Sequence, residues 1–66
     1  MDALEKAKIR IEHWISHNQH HYEEYEAFAQ QLEDSGKNDS AKQIRDMMVL
    51  TKKSTDCLQK ALVALD

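Results

Sequence analysis

Residues 12–25, EHWISHNQHHYEEY, hold all four histidines of the chain and its single tryptophan. His13, His17 and His21 are spaced four apart, and Tyr25 continues the series. On a helix, residues at i and i+4 lie one turn apart on the same face. Two imidazoles at that spacing can share one metal ion, which is why it recurs in helical zinc sites. Imidazole suits borderline transition metals, among them zinc, copper, iron and nickel. Glu24 or Glu12 could add a carboxylate, and Tyr25 and Asn18 are placed to orient a ligand. At about 100° per residue, His21 falls at the edge of the apolar stripe, His17 and Glu24 farther round, and His13 and His20 near the outer face. The bland alternative is a row of solvated or hydrogen-bonded imidazoles at the edge of a helical bundle. Asn18 could equally serve to fix register between packed helices.

Other chemistries lack their residues. There is no HExxH for a zinc protease and no paired ExxH for a diiron carboxylate centre. No glycine-rich phosphate loop occurs, because Gly36 is the only glycine. No Ser/His/Asp or Cys/His pair has a supporting context. The chain therefore reads as a non-enzyme. His13 with His17 and His20 with Glu24 have spacings that resemble parts of haemerythrin-like iron sites. The surrounding sequence does not match those proteins, which carry four helices of their own.

The elements that position this segment are simple. The chain has 66 residues, no proline and one cysteine, so it forms one domain, 1–66, with no internal disulfide. A chain of this size buries only about 60% of its unfolded surface alone, and small scaffolds rely on metals or self-association when disulfides are missing. Turn formers cluster in EDSGKNDS around Gly36. Asp2 with Glu5, and Ser40 with Gln43, have capping-box spacing, and Asp39 or Ser40 suits the second N-cap. These signals predict a helix over about residues 3–35, a turn at 36–38 and a helix over about 39–65.

Both helices carry heptad-like rows. On the first these are Leu4, Ile11, Asn18, Tyr25, Leu32 and Ala7, Trp14, His21, Phe28. On the second they are Ala41, Met48, Thr55, Leu62 and Ile44, Thr51, Leu58, Leu65. Ile15, Tyr22, Ala29, Met47 and Ala61 widen the stripes. The fold class is all-α, an antiparallel two-helix hairpin. Trp14, Ile11, Phe28, Ile44, Met48 and Leu58 are the expected core or dimer residues. Two hairpins would cover the widened faces by forming a four-helix bundle, so a homodimer is expected, with ligands from the second subunit completing a metal site. A larger protein partner is the other occupant such a surface could take. Cys57 reads as a small buried hydrophobe of the second helix.

The net charge of −3 carries no basic stripe of the kind nucleic-acid binders show. No run approaches a membrane span, residues 1–10 lack the apolar core of a signal peptide, and a lone cysteine suits a cytoplasmic setting. Residues 1–35 carry three Lys/Arg and eight Asp/Glu, and residues 36–66 carry six Lys/Arg and four Asp. Halves of opposite sign favour lying side by side.

The pattern His13-Trp14, His17-Asn18, His21, Tyr25, Phe28-Ala29 resembles that of a family of small uncharacterised helical-hairpin domains from anaerobic bacteria and archaea. Their pattern runs roughly H-W-x-x-H-N-x-x-H-x-x-x-Y-x-x-W-A. The match covers residues 13–29, and the second helix matches only in kind. Some members are attached to CooT-like nickel-binding modules. The resemblance implies a small metal-binding or metal-responsive accessory protein. It marks His13, His17, Asn18, His21 and Tyr25, leaves out His20, and points to nickel as well as zinc. Phe28 stands where those domains commonly have tryptophan, and no nickel module accompanies this chain.

Overall fold

A computed structural model describes residues 2–66 and contains two helices, α1 (Ala3–Asp34) and α2 (Asn38–Ala64). The expected hairpin is present, and the expected boundaries agree to within one residue. Asp2 caps α1, its carboxylate accepting from the Glu5 backbone N–H at 2.8 Å. The other end closes on Gly36, whose φ of +79° is left-handed. The Lys37 N–H donates to the Leu32 carbonyl at 2.8 Å, and the Gly36 N–H to the Glu33 carbonyl at 3.0 Å. Those two bonds are the Schellman closure that a glycine just past a helix end allows. The start of α2 differs from expectation. Its N-cap is Lys37, with no side-chain cap bond, and Asp39 lies within the first turn. The chain leaves Gly36 directly into the helix, so Asp39 and Ser40 are already helical. Asp39 there meets the positive end of the helix dipole instead of capping it.

The helices touch along one line. On α2 the expected rows describe it: Ala41, Met48 and Thr55 are buried, and Ile44, Thr51, Leu58, Leu62 and Leu65 are half-buried. On α1 the first row also faces α2, with Ile11, Asn18, Tyr25 and Leu32 half-buried and Leu4 more exposed. The second row is corrected. Trp14 and Phe28 are 49% and 50% exposed, whereas Ile15 is half-buried and Ala29 is completely buried. The inner positions follow a four-residue step, from Ile11 to Ile15 and from Tyr25 to Ala29. Near the short turn the helices lie close, and the most buried residues there are the alanines Ala29 and Ala41. A phenyl ring has no room at that level. Cys57 is likewise corrected, since it is exposed. It lies one residue, about 100°, round from Leu58 and turns away from the seam.

Polar seam residues find partners. Thr51 and Thr55 donate their hydroxyls to the carbonyls of Met47 and Thr51, each at 3.1 Å. Asn18 Nδ2 donates across the helices to Ser54 Oγ at 3.5 Å. At the open end Lys8 Nζ lies 2.7 Å from Asp66 Oδ1. Toward the turn Arg45 of α2 reaches Glu33, Glu26 and Gln30 of α1. The Glu33 hydrogen bond, with the nearby Glu26 charge, raises the Arg45 pKa above its ordinary value against the opposing effect of burial. Among the described residues no helix is long and apolar enough to cross a membrane.

Two substitutions test this seam. Met48→Ala removes the largest buried side chain and lowers stability by about 2 kcal/mol or more. Val49→Ala, one position away and 69% exposed, stays within about 0.5 kcal/mol. Gly36→Ala meets no atom within 4 Å of its new Cβ, so its cost is that of the left-handed backbone alone, about 1–2 kcal/mol. Denaturant unfolding of the three variants measures both effects.

Candidate metal centre on the first helix

The histidine ladder runs along one flank of α1, beside the seam. Helix periodicity alone places it there: His17 and His21 sit one turn apart, and Trp14 precedes His17 on the same flank. The two imidazoles converge. Their Nε2 atoms are 2.6 Å apart and the ring centroids 4.3 Å apart. Glu24 lies behind them, with its Oε1 3.0 Å from His21 Nδ1. In the neutral ring that contact makes Nδ1–H the donor to the carboxylate, which leaves the Nε2 lone pair directed at His17. A carboxylate on the far nitrogen is the usual support of a metal-binding histidine. Of the two carboxylates that the spacing allowed, Glu24 takes this place. Tyr25 contributes its ring, stacked on His21 at 5.8 Å and 11°.

The other expected residues stand apart. The His13 ring lies 5.9 Å from that of His17, edge to face, so it extends the ladder without converging on the nitrogen pair. His20 Nε2 is 3.5 Å from Glu24 and the side chain is 74% exposed, against 40% for His21. Asn18 faces Ser54 across the helices. Among the described residues no group of three or more His, Cys, Asp or Glu side chains is gathered closely enough to hold an ion within one chain. What the structure brings together is one imidazole pair with a carboxylate on the outer nitrogen of His21.

Of the α2 residues that share this flank, sequence reasoning named only Met47 and Ala61 among those widening the stripe. Asn18 and Ser54 meet on the side of the seam nearer the ladder. Arg45 meets Glu26 and Glu33 on the other side. At about 100° per residue, Met47, Leu50, Ser54, Cys57 and Ala61 of α2 fall on the Ser54 side. Together with Trp14, His17, His21 and Phe28 they form one open face, on which Leu50 is 67% exposed. A signal was available, since Met47, Ser54, Ala61 and Leu50, Cys57, Ala64 are themselves heptad rows. The opposite side carries Glu23, Glu26, Glu33, Arg45, Lys52 and Asp56. A groove there of about 400 Å³ is lined by Gln19, Tyr22, Glu23, Lys52, Thr55, Asp56 and Gln59 and contains no histidine.

No curated protein and no solved structure matches the chain. Residues 7–65, which include the whole ladder and nearly all of both helices, match the family described as Domain of unknown function (DUF8180). The chain, an all-α helical hairpin with an imidazole pair on α1, belongs to that family.

Proposed function

We propose that the hairpin is a small metal-binding accessory protein that holds a divalent ion of the nickel or zinc class on α1. His17 and His21 supply Nε2 ligands, and Glu24 fixes the ring of His21. The observation that carries this reading is the convergence of two Nε2 atoms at 2.6 Å with a carboxylate on the outer nitrogen of one ring. Two imidazoles on a tetrahedral ion at the usual zinc–nitrogen distance of about 2.0–2.1 Å stand about 3.3 Å apart. A small rotation about the side-chain torsions opens the pair to that separation. The resemblance to domains that accompany CooT-like nickel-binding modules supports nickel as the first ion to try. The reading assigns no catalytic step, and the chain acts by carrying or sensing the ion.

A second reading has its own observation. Trp14 and Phe28 are half-exposed on the same face, as in a hairpin whose purpose is to pack on another protein without metal. Calorimetry with nickel and zinc separates the two readings. The metal-binding reading expects sub-micromolar binding by the parent. It expects His17→Ala and His21→Ala each to weaken binding strongly, and His20→Ala to change it little. Glu24→Gln weakens it about 10- to 100-fold, as loss of an outer-shell partner does. If the parent binds neither ion better than micromolar, or all the histidine variants lose the same small amount, the interaction reading replaces this one.

The pH dependence follows from the ligand chemistry. A nitrogen must give up its proton before it coordinates. Affinity therefore falls as pH is lowered and protons compete with the ion for the ring nitrogens. Titrations at two pH values check the sign.

A further inference from the structure

The hairpin is one helix thick. Its extents are 51 × 17 × 10 Å and its Cα radius of gyration is 15.3 Å, where a compact chain of this length has about 11 Å. Its accessible surface is 5128 Å². A folded monomer of 7.7 kDa exposes about 4,300 Å². The excess, about 800 Å², is the area one partner contributes to a stable interface of standard size.

The two broad faces are not equivalent candidates for that interface. One carries the Arg45–Glu26–Glu33 cluster with Glu23, Lys52 and Asp56. The other carries Trp14, His17, His21, Phe28, Met47 and Leu50, with the Glu24 carboxylate 3.0 Å from His21 Nδ1. Its α1 row also has a symmetry that a self-contact requires. Trp14 and Phe28 lie seven positions on either side of His21. Where two copies of α1 run antiparallel about His21, each Trp14 meets a Phe28, and His21 meets itself. A two-fold contact of this kind places a residue at the axis opposite its own copy.

The ion reading adds an independent requirement. Zinc-class sites take four ligands, and one chain gathers two nitrogens and no third ligand among its described residues.

We infer that a second copy of the chain packs on this face, α1 antiparallel to α1 about a two-fold axis at His21, and that the two His21 imidazoles, which meet at that axis, are ligands from both chains to one shared divalent transition ion. The shared site rests on the metal-binding reading above; the helix pairing does not. The row Ala7, Trp14, His21, Phe28 is then a real seam, between subunits instead of within one. Trp14 and Phe28 close the site from either end and keep water from competing for the ion.

The test uses the full chain with two readouts. The first is the number of nickel or zinc ions bound per chain, measured together with the mass in solution by sedimentation equilibrium. The expected result is one ion per two chains on a dimer, with Trp14→Ala weakening association by about tenfold or more, as loss of a central aromatic anchor does. The second readout needs no metal. In a Cys57→Ser background, His21→Cys should react with a short thiol–thiol crosslinker to give a covalent dimer more than about tenfold faster than Gln19→Cys on the charged side, because pairing raises the local thiol concentration. One ion per chain on a monomer leaves the metal-binding reading standing and overturns the shared site. Crosslinking of the His21→Cys chain while the parent chain binds neither ion overturns the metal-binding reading and the shared site together, and leaves only the helix pairing. A chain that stays monomeric with and without ion, with both cysteines reacting alike, overturns the pairing and assigns the face to a different protein.

Discussion

Everything in this molecule follows from having a single line of contact. Two helices laid side by side can bury only the residues between them, and the hairpin has no third element to cover either broad face. The consequence is visible in the core. Among the described residues the buried ones are Ala29, Ala41, Met48 and Thr55, and no large side chain is completely enclosed. Burial of apolar surface contributes about 25 cal/mol per Å², so a seam made of two alanines, a methionine and half-covered aliphatic residues gives a modest hold. The remaining large apolar groups, Trp14, Phe28 and Leu50 among them, stay in water unless something else covers them.

Polar contacts define how the seam is aligned more than how strongly it holds. Lys8 and Asp66 meet at the open end, Asn18 and Ser54 near the middle, and Arg45 with Glu26 and Glu33 toward the turn. Exposed ion pairs of this kind are worth from nothing to about 1 kcal/mol each. Their distribution along the hairpin matters because a shift of register would break several at once. Gly36 completes the alignment by reversing the chain in a left-handed conformation that other residues adopt only with strain.

The imidazole pair depends on that same scaffold indirectly. A helix presents i and i+4 residues together whatever surrounds it, so His17 and His21 would adjoin on any helical version of this segment. The hairpin contributes their setting. Packing on α2 holds Tyr25 half-buried, and Tyr25 stacks on His21. Glu24 then reaches the outer nitrogen from one turn further along. The pair is left beside, and not inside, the seam, on the flank of α1 that also carries Trp14 and Phe28.

Much of this was legible in the amino-acid order. The two helices, the turn at Gly36, the Asp2 cap and both rows of α2 follow from local rules: capping, left-handed glycine and the seven-residue repeat. The i, i+4 imidazoles follow from helix geometry as well. The second α1 row was not legible, because Ala7–Trp14–His21–Phe28 and the row through Ile15 and Ala29 fit the repeat equally well, and hydrophobicity favours the one with the larger rings. Only the packed hairpin distinguishes them, since the close approach of the helices near the turn admits alanine and excludes a phenyl ring. The same is true of Cys57 and of the bare start of α2. Each depends on where a neighbouring element or the preceding turn actually lies. Periodicity tells which residues share a helix face. The distance between two helix axes decides which of two adjacent faces turns inward.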